Sequence, residues 1–394
     1  MLRVLTLASL FPDAARPTFG GFVARQTLGL AARPGVEVRV VAPIGIPPGL
    51  ARHRHYRALR GLPTREVWQG LDVYRPRFPI VPLVGGALAP RLMARALLPL
   101  LRDIRRDFPF DVIDAEFFYP DGSAAHRLAR ALGVPFSIKA RGSDIHLWSD
   151  YPGCRGRIVR AGQAAGGLLA VSSALKADMV ALGLPEERIR VHYTGVDLDR
   201  FAPAEDRAVA KARLGVPGPL IVSVGALVPR KGHQIAIAAM EKLPEATFLI
   251  AGHGPHRAAL EAQIAAAGLA DRVRLLGSQP HDALPALFAA ADASLLVSES
   301  EGLANAWVES LACGTPVVTA DVGGAREAID RPAAGRLVER KPGAVAAALA
   351  ELIAQPPDPA ETRKAAERFT WDANATTLEA HLRAIVSSHP GRSC

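Results

Sequence analysis

Between Ser298 and Ala320 the chain carries two carboxylates, Glu301 and Glu309, with seven residues between them, followed by the run Ala312-Cys313-Gly314-Thr315-Pro316-Val317-Val318. Apolar residues Ala293 to Val297 precede this stretch, and Val317 to Thr319 close it. The pattern reads as strand, acidic loop, short helix starting near Leu303 to Asn305, Gly-Thr-Pro turn and strand. Such a unit places a helix N-terminus at the carboxyl edge of a parallel sheet, where backbone N–H groups and the helix dipole favour an anion. Carboxylates before and inside that helix would repel a phosphate alone. They suit a ligand that also carries hydroxyls, because a carboxylate accepts O–H bonds strongly. Phosphates and hydroxyl-rich rings together describe a nucleotide sugar.

These residues resemble the signature of the retaining family 4 glycosyltransferases, which have the GT-B fold. The resemblance covers nearly the whole chain; it is specific in the second half and diffuse in the first. It implies an α/β protein of two Rossmann-like, doubly wound parallel-sheet domains facing across a cleft. The acceptor-binding domain would span residues 1–200 and the nucleotide-sugar-binding domain 201–370, with a C-terminal helix over 371–394 crossing back to the first. The implied chemistry is transfer of a sugar from a UDP- or GDP-linked donor to an acceptor hydroxyl with retained configuration, in cell-surface polysaccharide or glycolipid synthesis. In that reading Glu309 holds the ribose hydroxyls and Glu301 contacts the transferred sugar. The backbone at Leu303, Ala304 and Asn305 faces the donor phosphates.

Alternating strand and helix patterns must position these groups. In the first half, Leu2–Leu7, Val36–Ala42, Asp111–Ala115, Phe136–Lys139, Leu168–Val171 and Ile189–His192 read as strands. Gly20 and Gly21 open a helix from about Phe22 to Ala32, and backbone there could approach a phosphate closely. Arg141-Gly142-Ser143-Asp144 directly follows a strand, at the edge where ligands bind. Relatives often have His where Arg141 stands; a guanidinium cannot be a general base but can hold a phosphate or an acidic acceptor. Asp144 and His146 are assigned to the acceptor side. Pro47 to Gly70 reads as irregular, with Arg52, His53, Arg54, His55, Arg57 and Arg60. A helix over Ala87–Arg106 puts Leu88, Leu92, Ala96, Leu100 and Ile104 on one stripe beside Arg91, Arg95, Arg102, Arg105 and Arg106. It is either a surface helix packed on the core or a dock for anionic lipid.

In the second half, Leu220–Val224 begins a new alternating series, and Pro229-Arg230-Lys231-Gly232 supplies a basic pair able to hold a diphosphate. Relatives often place Arg where this chain has Ala226, and usually Asn where it has Thr194. Gly252 and Gly254 form a turn near the nucleotide in the resembled family, and the base would stack near Val273–Gly277. Catalytic roles fall to Glu301, Lys231 and Arg141. Donor contacts fall to Gly20, Gly21, Arg230, Lys231, Gly252, Gly254, Leu303, Ala304, Asn305 and Glu309.

Composition agrees with a two-domain globular protein: 394 residues, 49% hydrophobic and 22% charged. A net charge of +9 suits anionic substrates or membrane; no nucleic-acid motif accompanies it. The three cysteines, Cys154, Cys313 and Cys394, are widely spaced and suggest reduced thiols in a cytosolic protein. Val4–Leu10 is better read as a buried strand than as a leader, and no apolar run approaches a membrane span. Asp197-Leu198-Asp199 has the letters of a metal motif but lies in the inter-domain segment, so no metal or cofactor is expected beyond the donor substrate. The expected location is cytoplasmic, peripheral on the cytosolic membrane face. A nucleotide-sugar epimerase of the same fold and a non-catalytic binding subunit are the alternatives.

Overall fold

The computed structural model describes residues 1–49, 53–81, 85–216 and 218–389; Arg52, Cys394 and the side chains of Arg54 and His55 lie outside what it describes. The chain divides into two compact units. The first holds Met1–Thr194 and the C-terminal helix Trp371–Ser388; the second holds Gly195–Thr370.

The strands of the first unit are β1 (Leu2–Leu7), β2 (Val36–Val41), β3 (Ile44–Ile46), β4 (Arg65–Trp68), β5 (Leu71–Tyr74), β6 (Arg77–Pro79), β7 (Val112–Ala115), β8 (Phe136–Ala140), β9 (Gly167–Ala170) and β10 (Ile189–Val191). Eight of them form one sheet in the order β10-β9-β8-β7-β1-β2-β5-β4, and β3 pairs with β6 separately. Strands β7, β8 and β9 are buried at every position, as befits parallel strands covered on both faces. One pairing departs from the expected parallel pattern: β4 runs antiparallel to β5 at the sheet edge. Its alternating exposure marks a strand with one wet face.

Two sequence readings need correction here. The segment expected to be irregular contains a helix, Arg54–Gly61, and the edge strand β4. Its low apolar content hid both, since neither lies deep in the core. The basic helix does form, over Gly85–Asp107. However, it buries Ala89, Met93, Leu97 and Leu101, one position on from the expected Leu88, Leu92, Ala96 and Leu100, while Ile104 is buried as expected. Leu88 is 38% exposed instead. Two parallel apolar stripes occupy this helix, and spacing alone could not say which faced the core.

The second unit contains β11 (Leu220–Val224), β12 (Thr247–Ala251), β13 (Val273–Gly277), β14 (Ala293–Leu296), β15 (Val317–Ala320) and β16 (Gly335–Val338). They form one parallel sheet in the order β13-β12-β11-β14-β15-β16. Order reverses direction between β11 and β14, the switch point where crevices open in such sheets. The core joins Ile221, Phe248, Leu295 and Val318 of the sheet to Ile237, Leu260 and Leu349 of the flanking helices.

The C-terminal helix belongs to the first unit's core, where Leu378, Leu382 and Ile385 pack with Leu2, Val4, Val112 and Leu169. Leu382 is fully buried. Leu382→Ala is therefore expected to destabilise that unit by about 2–5 kcal/mol through lost burial and a residual cavity. Urea unfolding should show this as an earlier transition.

Candidate active site

The helix between β14 and β15 spans Asn305–Ala312. Its N-cap is Ala304, which supplies no side-chain cap, and its first turn carries no acid. Its backbone N–H groups are thus not claimed by a capping side chain. Its other end is bolted down. Gly314, at φ 69°, donates its N–H to Leu311 O at 2.9 Å, and Thr315 donates to Ser310 O at 3.0 Å. These two bonds are a Schellman cap, which requires a left-handed residue where Gly314 sits. The Thr315 hydroxyl donates to Phe288 O at 2.7 Å, and the Ser310 hydroxyl to Thr315 O at 2.9 Å. The Gly-Thr-Pro turn is accordingly a structural anchor that aims the free end of the helix.

Three charged side chains gather around that free end. Lys231, on the short turn Pro229–Lys231 after β11, pairs with Glu301. Both are largely buried, with 13% and 11% of their side chains exposed. Arg230 donates to Ser300 O at 3.2 Å and its carbonyl accepts from Glu299 N–H at 2.7 Å, which ties the basic turn to the acidic loop. Glu309 lies further along the helix, with its Oε1 2.8 Å from His281 Nε2. His281 was missed by sequence reading: a single histidine in a Pro-His-Asp turn carries no signal until the fold sets it against Glu309.

Gly252 and Gly254 have a packing reason of their own. A side chain at either would collide with the Gly225 or Leu227 carbonyl, where the loops after β11 and β12 press together. Beneath the same loops His233 is buried, its Nδ1 3.4 Å from the Ser223 hydroxyl. Burial lowers its pKa from 6.5 to about 4. Burial, and secondarily Glu309, pushes the Cys313 thiol up to about 12, so it is an inert core group.

In the first unit the candidate residues fall into a different pattern. Gly20, at φ 71°, caps the helix Gly21–Ala31 in a backbone region that L side chains rarely adopt, and a Cβ there would collide with Leu10 O. Gly21 faces open space. Arg141 is held: its guanidinium pairs with Glu116, donates to Glu116 O at 3.0 Å and lies over the Phe22 ring at 4.7 Å. Asp144, assigned to the acceptor side, is turned inward. It is fully buried, and it accepts from Arg141 N–H and Gly142 N–H, and from Phe118 N–H, each at 2.9 Å. It shapes the loop after β8 from within. His146 stays at the surface, 2.8 Å from Asp178.

Sequence reading also missed the polar layer under this loop. Lys139 is fully buried and donates to Gln26 Oε1 at 2.5 Å and to His192 Nδ1 at 2.7 Å. His192 Nε2 lies 2.9 Å from Asn374 O. A carbonyl only accepts, so Nε2 carries the proton and Nδ1 receives the lysine. Burial holds both Lys139 and His192 well below their ordinary values. Burial, reinforced by Glu116, raises Asp114.

Among the described residues, no group of three or more His, Cys, Asp or Glu side chains is arranged to hold a metal ion. No described helix is long and apolar enough to cross a membrane.

Comparisons with known proteins agree with this architecture. The family described as Glycosyl transferases group 1 matches residues 205–369, and Glycosyltransferase Family 4 matches residues 22–200. A Bacillus subtilis (strain 168) protein, TuaC, named for glycosyl transfer in teichuronic acid biosynthesis, is 30% identical over 334 residues, covering 82% of each chain. Among solved structures, sucrose-phosphate synthase from Thermosynechococcus elongatus superposes with a TM-score of 0.81 at 19% identity, covering 98% of this chain and all of that one. Anabaena HepE in complex with UDP-glucose gives 0.72 at 20% identity, with 98% and 100% coverage. The chain belongs to the group 1, family 4 glycosyltransferases, and its fold is GT-B.

The buried histidine of the second unit makes stability pH-dependent. The unfolded chain binds a proton near pH 6.5 that folded His233 refuses down to about 4. Stability is therefore expected to fall as pH drops through that window, with the loss complete below it at about 3 kcal/mol for this group. In urea titrations across pH 4–7, His233→Asn should flatten that part of the slope.

Proposed function

We propose that the protein is a retaining glycosyltransferase moving a sugar from a UDP- or GDP-linked donor to an acceptor hydroxyl, in polysaccharide or glycolipid synthesis. One observation carries this reading: the Lys231–Glu301 pair stands ahead of an uncapped helix N-terminus while Glu309 sits a turn inside the same helix. The UDP-glucose complex of the HepE neighbour and the polymer named for TuaC support the donor and acceptor classes. Glu309 takes the ribose hydroxyls, Glu301 the transferred sugar, and the backbone at Leu303, Ala304 and Asn305 the phosphates. Charge developing on the leaving diphosphate is stabilised by Lys231, Arg230 and the helix end, fixed in place beforehand. On this reading no metal is needed. Because Lys231 already pairs with Glu301, its ammonium is shared between carboxylate and phosphate as the bond breaks.

The test is incubation with labelled UDP- and GDP-hexoses and lipid-linked or glycan acceptors, with EDTA present. Transfer with retained anomeric configuration is expected. Lys231→Ala should lower kcat more than it raises donor KM, because its charge is wanted most in the transition state. Loss of transfer on chelation, restored by Mg²⁺ or Mn²⁺, would overturn the metal-free reading. Release of an isomerised donor without acceptor would identify an epimerase, and a donor bound but unaltered would identify a binding subunit.

We further propose that the first unit docks on anionic membrane through the helix Gly85–Asp107. Arg91, Arg95 and Arg102 are exposed there, beside the outward Leu88. Arg105 is not part of this face, since it donates to Leu132 O at 2.6 Å. Each arginine near an anionic surface contributes about 1 kcal/mol, enough together for reversible docking. Co-sedimentation with anionic liposomes should be weakened by salt and by changing the three arginines to Glu. Equal pelleting on neutral and anionic vesicles would overturn it.

A further inference from the structure

The Glu309 carboxylate is held before any ligand meets it. His281 lies on the short turn His281–Ala283 that follows β13, and its Nε2 is 2.8 Å from Glu309 Oε1. A carboxylate only accepts, so His281 donates from Nε2. The imidazole is fixed in turn: the Phe201 ring meets it edge-on at 5.3 Å between centroids. The adjacent Asp282 pairs with Arg200. Arg363 then joins the two sides of the contact. It donates to Leu198 O and Phe201 O, each at 2.6 Å, and also to Ala312 O at the end of the helix that carries Glu309. One guanidinium therefore fixes both the segment that buttresses His281 and the helix that presents Glu309.

From this frame we infer that His281 is a positioning residue for recognition of the donor's ribose. The inference rests on the reading of Glu309 given above. A glutamate has three side-chain torsions to order, and ordering them on binding costs affinity. His281 holds the carboxylate by Oε1 and leaves Oε2 directed to accept ribose hydroxyls. It also keeps the group oriented beside a phosphate site that would otherwise favour its rotation away from the bound charge. His281 does not touch the reacting atoms. Its contribution is selectivity for a ribose with both hydroxyls.

A ribose-specific readout separates this role from a merely structural one. Calorimetric titration of the full chain would use whichever of UDP and GDP binds wild type more tightly, and its 2′,3′-dideoxy form. Wild type should prefer the ribose form by about tenfold or more, the scale of one charged hydrogen bond. His281→Phe keeps an aromatic ring against Phe201 but removes the donor. It should cut the preference to about threefold or less, with the dideoxy form bound as in wild type. His281→Gln, which can still donate, should restore most of the preference. An unchanged preference in His281→Phe, or equal weakening of both forms in both variants, would overturn the positioning role. Failure of wild type to distinguish the two forms, or to bind either nucleotide, would instead overturn the ribose assignment of Glu309, and this inference with it.

Discussion

The site of the second unit depends on how one short helix ends. The helix Asn305–Ala312 is too short to be stable alone, and its N-terminus has no side-chain cap. Its stability comes from the other end, where Gly314 supplies the left-handed residue of a Schellman cap and the Thr315 hydroxyl reaches Phe288 O. With the C-terminus fixed, the N-terminus can keep its N–H groups for something other than a cap. Trp307 and Leu311, both fully buried, fix the rotation of the helix. That rotation leaves Glu309 partly open and against His281.

Charge in this site is organised in pairs. Glu301 meets Lys231, and Glu309 meets His281. Each carboxylate is mostly buried, and an unpaired charge there would be costly. Pairing lets acidic groups stand beside a helix end that attracts anions. It also holds them in one rotamer, which lowers the entropy lost when a ligand arrives.

The first unit solves a related problem with a buried polar layer. Lys139, Gln26, His192 and the Glu116–Arg141 pair form a continuous chain of hydrogen bonds from Asn374 of the C-terminal helix to the loop after β8. Removing one member would leave its partners buried without their bonds, which costs more than the bond itself contributed. The C-terminal helix therefore does more than cover apolar surface, since its backbone receives the end of that chain. Asp144 completes the arrangement by binding three backbone N–H groups and fixing the loop that carries Arg141.

Much of this was written in local sequence. Continuous apolar runs marked the parallel strands, because strands covered on both faces need apolar residues at successive positions. The two glutamates, the Gly-Thr-Pro turn and the flanking strands identified the helix of the second unit and the family, since each depends on spacing within some twenty residues. Other features had no local mark. The edge strand β4 and the helix Arg54–Gly61 are poor in buried residues, and only pairing with β5 and packing against neighbours define them. The buried stripe of the helix Gly85–Asp107 is one of two equally periodic choices, decided by which face met the sheet. Asp144 looked like an open site residue, yet its carboxylate turns inward to backbone N–H groups contributed by β8's loop and by Phe118. Lys139 and Gln26 are 113 residues apart in sequence, Glu309 and His281 are 28 apart, and Arg141 and Glu116 are 25 apart. Periodicity and motif reach a few turns along the chain, and so they determined the elements and the family. Which side chains pair, which turn inward and which stay open depends on contacts between distant segments, and only the tertiary structure decided them.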